Sequence, residues 1–307
     1  MHLVPNIASA AAELRRTSWL QLAGYAWIGF FVVFLVKLAA PAGMGPALRA
    51  CGLVLPLLLL AAKDLAHAPD ALRRLQGADN WRGRITALLP PELLGMLRIE
   101  RLMWRGFLRW LRRRPAATAP EGTALTYLRR GAYGSAIGVV MVALFLELPI
   151  NILLVNLMID EPTARLAIHV ACGAGALYSF VWVLADRWHV GDASHVLAGE
   201  MLHLRVGVRS QGAVPLSAIE RCEAVTEAPE RWSRRHGIHR ADTLLVTPFD
   251  KPNCVLFLKP DATVTLLHWQ VQRQAPRYLL LYLDRPERLA SHVNFGVRSD
   301  NQTQPRP

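Results

Sequence analysis

Apolar residues are not spread evenly along this chain. Before residue 186 they gather in four long runs, and after residue 189 they alternate over short stretches. The two patterns predict different structures on either side of that point.

The first run, 19–36, has 18 residues and no charge. It follows Arg15 and Arg16 and ends at Lys37, whose stem can snorkel to the interface. It is longer than the apolar region of a signal peptide, so it reads as an uncleaved span. The second, 45–62, is the weakest, because Arg49 interrupts it and Pro56 lies inside it. Its uncharged part, 50–62, has only 13 residues, a length that also suits a re-entrant piece. The third, 132–159, carries Glu147 as its only charge and is long enough to span with tilt. The fourth, 166–185, has 20 residues, of which only His169, Cys172 and Tyr178 are ionisable. In hydrocarbon such runs must be helical, because each backbone polar group needs an internal partner.

Charge placement gives the topology. Residues 64–131 carry 13 arginines and six acids, whereas the link Asp160-Glu161-Pro162 is acidic. Arginine near span ends stays cytoplasmic. Residues 64–131 are therefore expected inside and Asp160 outside. With Arg15-Arg16 also inside, the second run must return the chain, giving four spans and both termini in the cytoplasm.

Residues 92–114 form a distinct element. Arg98, Arg101, Arg105, Arg109 and Arg112 recur every three or four residues, which places them along one side of a helix. Leu93, Met96, Leu97, Ile99, Met103, Trp104, Phe107, Trp110 and Leu111 cover much of the rest, and Pro115 ends it. Seven arginines in 17 residues rule out a span. The pattern suits a helix in the headgroup layer with its arginines on anionic lipid. The competing reading packs this helix on the C-terminal domain and leaves the arginines solvated. Nucleic acid is not expected as a partner.

Glu147 and Asn151 are four apart in the third run and share a helix face, with Pro149 between them. His169 on the fourth run lies at a similar depth. A carboxyl at this depth is expected to be protonated or partnered. The three residues mark a possible intramembrane polar site, serving either transport or plain helix packing. Gly131, Gly134 and Gly138, with Gly173 and Gly175 on the fourth run, fit close helix contact.

Past residue 189 the period shortens. Strands are expected over 201–208, 213–216, 243–247, 254–258, 264–269 and 278–283, with turns at Gly199-Glu200, at 250–253 and at Pro260-Asp261. A closing helix is expected over 286–293, with Pro286 at its start. The expected fold is thus an α-helical polytopic membrane region of four transmembrane helices, followed by a small cytoplasmic β-barrel or sandwich domain with a C-terminal helix. Its expected divisions are 1–63, 64–131, 132–188 and 189–295, with a disordered tail over 296–307.

Several elements carry a resemblance. They are His195-Val-Leu, then Leu202-His-Leu-Arg205-Val-Gly207, then Val214-Pro-Leu216 with Ile219, the strand after Asn253, and Leu283-Asp284-Arg-Pro286 before the last helix. Over roughly 189–293 the chain resembles the bacterial pleckstrin-homology-like domains of multi-span membrane proteins. The resemblance implies a cytoplasmic interaction module that docks a protein partner, and it brings no catalytic residues with it.

Composition changes this picture little. Hydrophobic residues make up 52% and charged residues 19% of the 307, with mean hydropathy +0.23, which excludes a disordered chain. Most of the +12 net charge sits before residue 186, where it faces a membrane rather than nucleic acid. Cys51, Cys172, Cys222 and Cys254 form no CxxC pair, so neither a disulfide framework nor a zinc site is expected. His236 and His239 lie among arginines that repel a cation, and His189, Asp192 and His195 form no recognised ligand set. Phosphate-loop, dinucleotide, zinc-protease and nucleophile-elbow motifs do not occur. No cofactor or metal is expected, and the reading is a non-enzymatic membrane scaffold or regulator. The alternative is a small transporter or channel component that uses Glu147.

The topology has a direct check. A cysteine placed at Asp160, with Cys51 and Cys172 replaced by serine, should react with an impermeant maleimide on intact cells. Labelling only after permeabilisation would overturn it.

Overall fold

The computed structural model describes residues 14, 17, 19–39, 42–77, 80–115, 120–191, 194–247 and 249–293. The expectations for Arg15-Arg16, Asp192 and the tail over 296–307 lie outside these residues. The chain divides into two compact units, Met1–Leu94 and Gly95–Pro307.

In the first unit α1 (Trp19–Ala39) and α2 (Gly45–Gln76) pack together, and α3 (Trp81–Leu88) follows. Gly52 of α2 permits the contact, because a Cβ there would lie 3.3 Å from a methyl of Val33. Lys63 is buried on α2, where its ammonium donates to the Leu14 carbonyl at 2.7 Å and to the Thr17 carbonyl. A buried cation needs such acceptors. Helix α3 starts on Asn80, whose side chain accepts from the Gly83 amide at 2.6 Å.

Helix α4 (Pro91–Leu111) leads into the second unit. There α5 (Tyr133–Met158) and α6 (Pro162–Val190) form an apolar hairpin. Glu161 caps α6 by accepting the amides of Thr163, at 2.9 Å, and Ala164, and Pro162 occupies the first turn. Three helices are long and apolar enough to cross a membrane, over Ala50–Pro69, Tyr133–Met158 and Pro162–Val190. Helix α1 contributes a shorter apolar stretch, Gly24–Val33, so three of the four expected spans reach crossing length among the described residues. Val139, Phe145, Leu153 and Leu157 on α5 are more than half exposed. An apolar surface of that extent is stable against lipid rather than water.

The β region has two sheets. One is antiparallel throughout, in the order β1 (Thr123–Thr126), β2 (Ser194–Ala198), β3 (Met201–Val206), β4 (Ser210–Pro215), β8 (Thr265–His268), β9 (Val271–Gln274). The other runs β5 (Ile219–Ala224), β7 (Cys254–Leu258), β10 (Tyr278–Leu281), β6 (Thr243–Val246), and its β6–β10 pair is parallel. A short helix, α7 (Pro229–Arg235), precedes β6, and α8 (286–293) closes the domain.

Leu202, Leu204, Val206 and Val214 from the first sheet meet Cys254, Leu256, Leu279 and Leu281 from the second in one core, which Leu289 and Val293 of α8 complete. Strand β7 is buried at every position. Its even residues face that core, while Val255 and Phe257 face Trp232 of α7. Two-sided burial explains the continuous apolar run in its sequence.

The expected strand over 201–208 stops at Val206, because Gly207 turns the chain at φ 51. The sheet also takes in β1, which lies ahead of the apolar hairpin: Thr123 pairs with Leu197 and Thr126 with Ser194.

Two histidines tie the β domain's stability to pH. His195 is fully buried, with its Nδ1 accepting the Arg205 amide at 3.1 Å, and burial pushes its pKa down to about 4. Burial, then Arg273, lowers His268 to about 4 as well. A folded pKa below the unfolded value of about 6.5 means that the unfolded chain takes up protons first as pH falls. Stability is therefore full above about pH 6.5 and declines between there and pH 4. At pH 5 the loss should reach about 2 kcal/mol per histidine. Denaturation midpoints at pH 7.5 and 5 check this, and His195→Gln should shrink the difference between them.

Candidate membrane-interface site

The sequence concentrates unusual chemistry where the apolar hairpin enters the β domain. The loop Tyr127-Leu-Arg-Arg-Gly-Ala132 feeds α5, whose first amides have no partner within the helix. Two aspartates of the β domain instead accept amides of the loop and of the N-cap residue just ahead of the helix. Asp284 accepts the amides of Arg129 at 3.0 Å and Arg130 at 2.8 Å. Asp250 accepts the amide of Ala132. Gly131 is required, because a Cβ there would stand 2.9 Å from both Asp250 carboxylate oxygens and from the Tyr127 carbonyl. Through the N-cap amide, Asp250 also sits at the positive end of the α5 dipole. The pKa values of the two aspartates move apart. Burial raises Asp250, whereas bonds from Thr126, Arg130 and Arg129 outweigh burial and hold Asp284 below its ordinary value.

Asp186 of α6 is buried and paired with Arg209, which lies in the β3–β4 turn. The same carboxylate oxygen accepts the Tyr133 hydroxyl of α5 at 2.8 Å. Tyr133 stacks on Phe249, and the Arg209 guanidinium lies 4.6 Å from the centroid of that ring. Three chain regions thus meet at one carboxylate. Above it opens an apolar groove of about 460 Å³ between α5 and α6, walled by Ile137, Val140, Trp182, Phe249 and Trp269.

Trp269 and Gln270 form the two-residue turn between β8 and β9, at φ 50 and 59. Positive φ at both positions is the geometry that Asn-Gly normally adopts. For Trp and Gln it stores roughly 1–3 kcal/mol each. The surroundings hold the turn in place. The Trp269 amide donates to the Arg209 carbonyl at 2.6 Å, and the Gln270 side chain donates to the Val208 carbonyl at 2.6 Å. Arg98 donates to the Gln270 carbonyl at 3.3 Å, and Gly95 of α4 leaves room for the Trp269 backbone.

Helix α4 has three faces rather than the two expected. Gly95, Ile99, Met103 and Gly106 are buried, and Ile99 and Met103 pack with Trp182, Ala185 and Val208. Gly106 admits the His189 ring, whose Nε2 lies 2.8 Å from the Leu102 carbonyl. Glu100 accepts the Tyr178 hydroxyl at 2.7 Å and the indoles of Trp104 at 2.8 Å and Trp182 at 3.0 Å. These donors outweigh burial and hold its pKa below the ordinary value. A second face, with Leu97, Trp104, Leu108 and Leu111, is exposed. The third holds the arginines. Arg101, Arg105, Arg109 and Arg112 are exposed, and Arg109 lies 5.8 Å from the Trp188 ring centroid. Helical geometry sets the basic face about a quarter turn from the exposed apolar one.

The intramembrane residues are brought together only in part. Asn151 and His169 line one groove between α5 and α6, with Cys172 and Gly173. Glu147 is exposed and accepts from the Asn151 amide at 3.4 Å along its own helix. His169 lies 3.3 Å from the Asn156 side-chain oxygen. His236 bonds the Trp232 carbonyl at 2.8 Å and stacks on that indole. Among the described residues no three His, Cys, Asp or Glu side chains gather as a metal site. Sequence reasoning missed Asp186, Arg209, Asp250 and Asp284. The signal for Asp186 was an acid at the end of an apolar run that the charge pattern predicts to be cytoplasmic, where arginine is the rule.

The buried pair sets an expectation. Arg209→Met strands the Asp186 carboxylate in an apolar site and should cost about 3–5 kcal/mol. The double variant Asp186→Asn/Arg209→Met should recover much of that loss. Unfolding of the full chain in detergent measures both, and additive effects would show that the pair does not couple.

Comparisons of the chain with family models, with curated proteins and with solved structures find no match.

Proposed function

We propose that the chain is a membrane scaffold that presents its β domain to a cytoplasmic protein partner in a fixed orientation. In this reading four helices span the cytoplasmic membrane with both termini inside, and α4 lies in the headgroup layer. The observation that carries the reading is the way the β domain is joined to the hairpin. It is not tethered by a linker. Strand β1 enters from one side of the hairpin and β2 leaves from the other, and the two pair. Asp250 and Asp284 hold the start of α5, and Arg209 holds the end of α6. A domain fixed in this way keeps one face toward lipid and the opposite face toward the cytoplasm.

The pairing of β1 with β2 also supports the topology, since both ends of the hairpin must lie on one side of the bilayer. The exposed apolar face of α4 supports the interfacial placement, because Trp104 on that face contacts Tyr178 of α6 at 6.5 Å between ring centroids. Trp and Tyr concentrate at the headgroup level in membrane proteins. Two sheets around one core, closed by a terminal helix, support the pleckstrin-homology-like reading of the domain.

Crosslinking and affinity recovery from native membranes test the scaffold. The full chain and Glu147→Gln should recover the same partner, and a chain ending after Arg187 should lose it. A partner that survives the truncation, or loss of substrate flux confined to Glu147→Gln, would replace the scaffold with a transporter.

A further inference from the structure

The loop that enters α5 and the start of α8 enclose a polar cleft of about 280 Å³. Arg129 and Arg130 line it from the loop, Arg285 and Arg288 from the other side, with Thr126 and Asp284 at its base. All four arginines are exposed. Among the described residues none of their guanidinium groups forms an ion pair. The single carboxylate does not neutralise the cleft. Both Asp284 oxygens are engaged by backbone amides of Arg129 and Arg130, so its role is to fix the segment that carries those side chains. Four guanidinium groups against one carboxylate leave the cleft with three net positive charges.

Planar guanidinium groups match the oxygens of phosphate in pairs, and several converging on one cleft select a phosphate over a single carboxylate. Position names the source of the phosphate. Arg130 is three residues before Tyr133, the first residue of a helix long and apolar enough to cross a membrane. The cleft therefore opens at headgroup depth, where the local concentration of phosphodiester exceeds that of any soluble phosphate. These residues are separate from the arginine stripe of α4.

We propose that this cleft binds the headgroup phosphate of an anionic phospholipid. The proposal rests on the spanning of α5. It makes the β domain selective for anionic bilayer at a discrete site, beyond the general attraction of a basic surface. A free phosphate compound shares the chemistry and is the other possible source.

The test uses the full chain in a neutral detergent, with phosphatidylglycerol, phosphatidylcholine and inorganic phosphate as probes and bound lipid read by native mass spectrometry. Saturable phosphatidylglycerol binding is expected, with none for phosphatidylcholine. Arg129→Gln/Arg285→Gln/Arg288→Gln should weaken it on the order of 100-fold, about fivefold per charge removed. Arg101→Gln/Arg105→Gln/Arg112→Gln removes the same charge from α4 and should weaken it less than about tenfold. If the triple variant fails to fold, Arg288→Gln alone should still show its roughly fivefold loss. Wild-type affinity in the cleft variants overturns the proposal. So does displacement of the lipid by an equal concentration of inorganic phosphate, which would make a soluble phosphate the ligand. Alkaline carbonate extraction separates the two levels of failure. Release from membranes fails the spanning reading, whereas a retained protein that binds lipid independently of the cleft fails the cleft alone.

Discussion

A carboxylate buried at the end of an apolar helix has to be neutralised, and Arg209 is what neutralises Asp186. The charge pair is far from free of cost, since both groups give up water. It is held because neither partner can leave alone. The guanidinium is covered by Phe249, the carboxylate also holds Tyr133, and the carbonyl of Arg209 holds the Trp269 turn. Much else at the junction follows. The strained Trp269-Gln270 turn persists because α4 and the Arg209 segment enclose it, and α4 keeps its angle because Gly95 and Gly106 seat it on that turn and on His189.

The second constraint is the backbone of the loop that leads into α5. Such a loop could leave its amides to water. Here two carboxylates from distant parts of the β domain take the amides of Arg129, Arg130 and Ala132, and Gly131 allows the approach. The two aspartates are held differently. Asp284 has amide donors on both oxygens, which help hold its pKa below the ordinary value, whereas Asp250 is buried with one oxygen lacking a partner, and burial raises its pKa.

Much of this architecture was legible in the sequence, for reasons that differ by element. Helices α5 and α6 announced themselves by length and lack of charge. Strand β7 showed as an unbroken apolar run because both its faces are covered. Helix α8 showed through Pro286 and its apolar spacing. Other elements gave no local signal. Strand β1 is four residues, Thr-Ala-Leu-Thr, made a strand only by its partner on the far side of the hairpin. Strand β9, Val-Gln-Arg-Gln, is exposed on most positions and carries no alternation to read. Helix α7 is seven residues long and exists to place Trp232 over the second sheet. The arginines of α4 were visible as a stripe, but its division into a packed face and a bare apolar face depends on what lies beside it. Asp186 and Arg209 were individually unremarkable, and only the fold makes them a pair.

The place of β1 has a consequence for how the molecule is made. Its hydrogen-bonding partner, β2, is separated from it by the whole apolar hairpin, so the two strands leave the ribosome far apart in time. If both helices cross a bilayer, β1 stays unpaired, and Leu125 and Tyr127 stay outside the core, until the chain has come back and β2 has been made. A hairpin that crossed once and failed to return would strand β1 and β2 on opposite sides of the membrane. With a spanning hairpin, completion of the sheet would record that insertion succeeded, and a chain inserted wrongly would expose an unpaired strand edge of the kind that quality-control proteases and chaperones meet first.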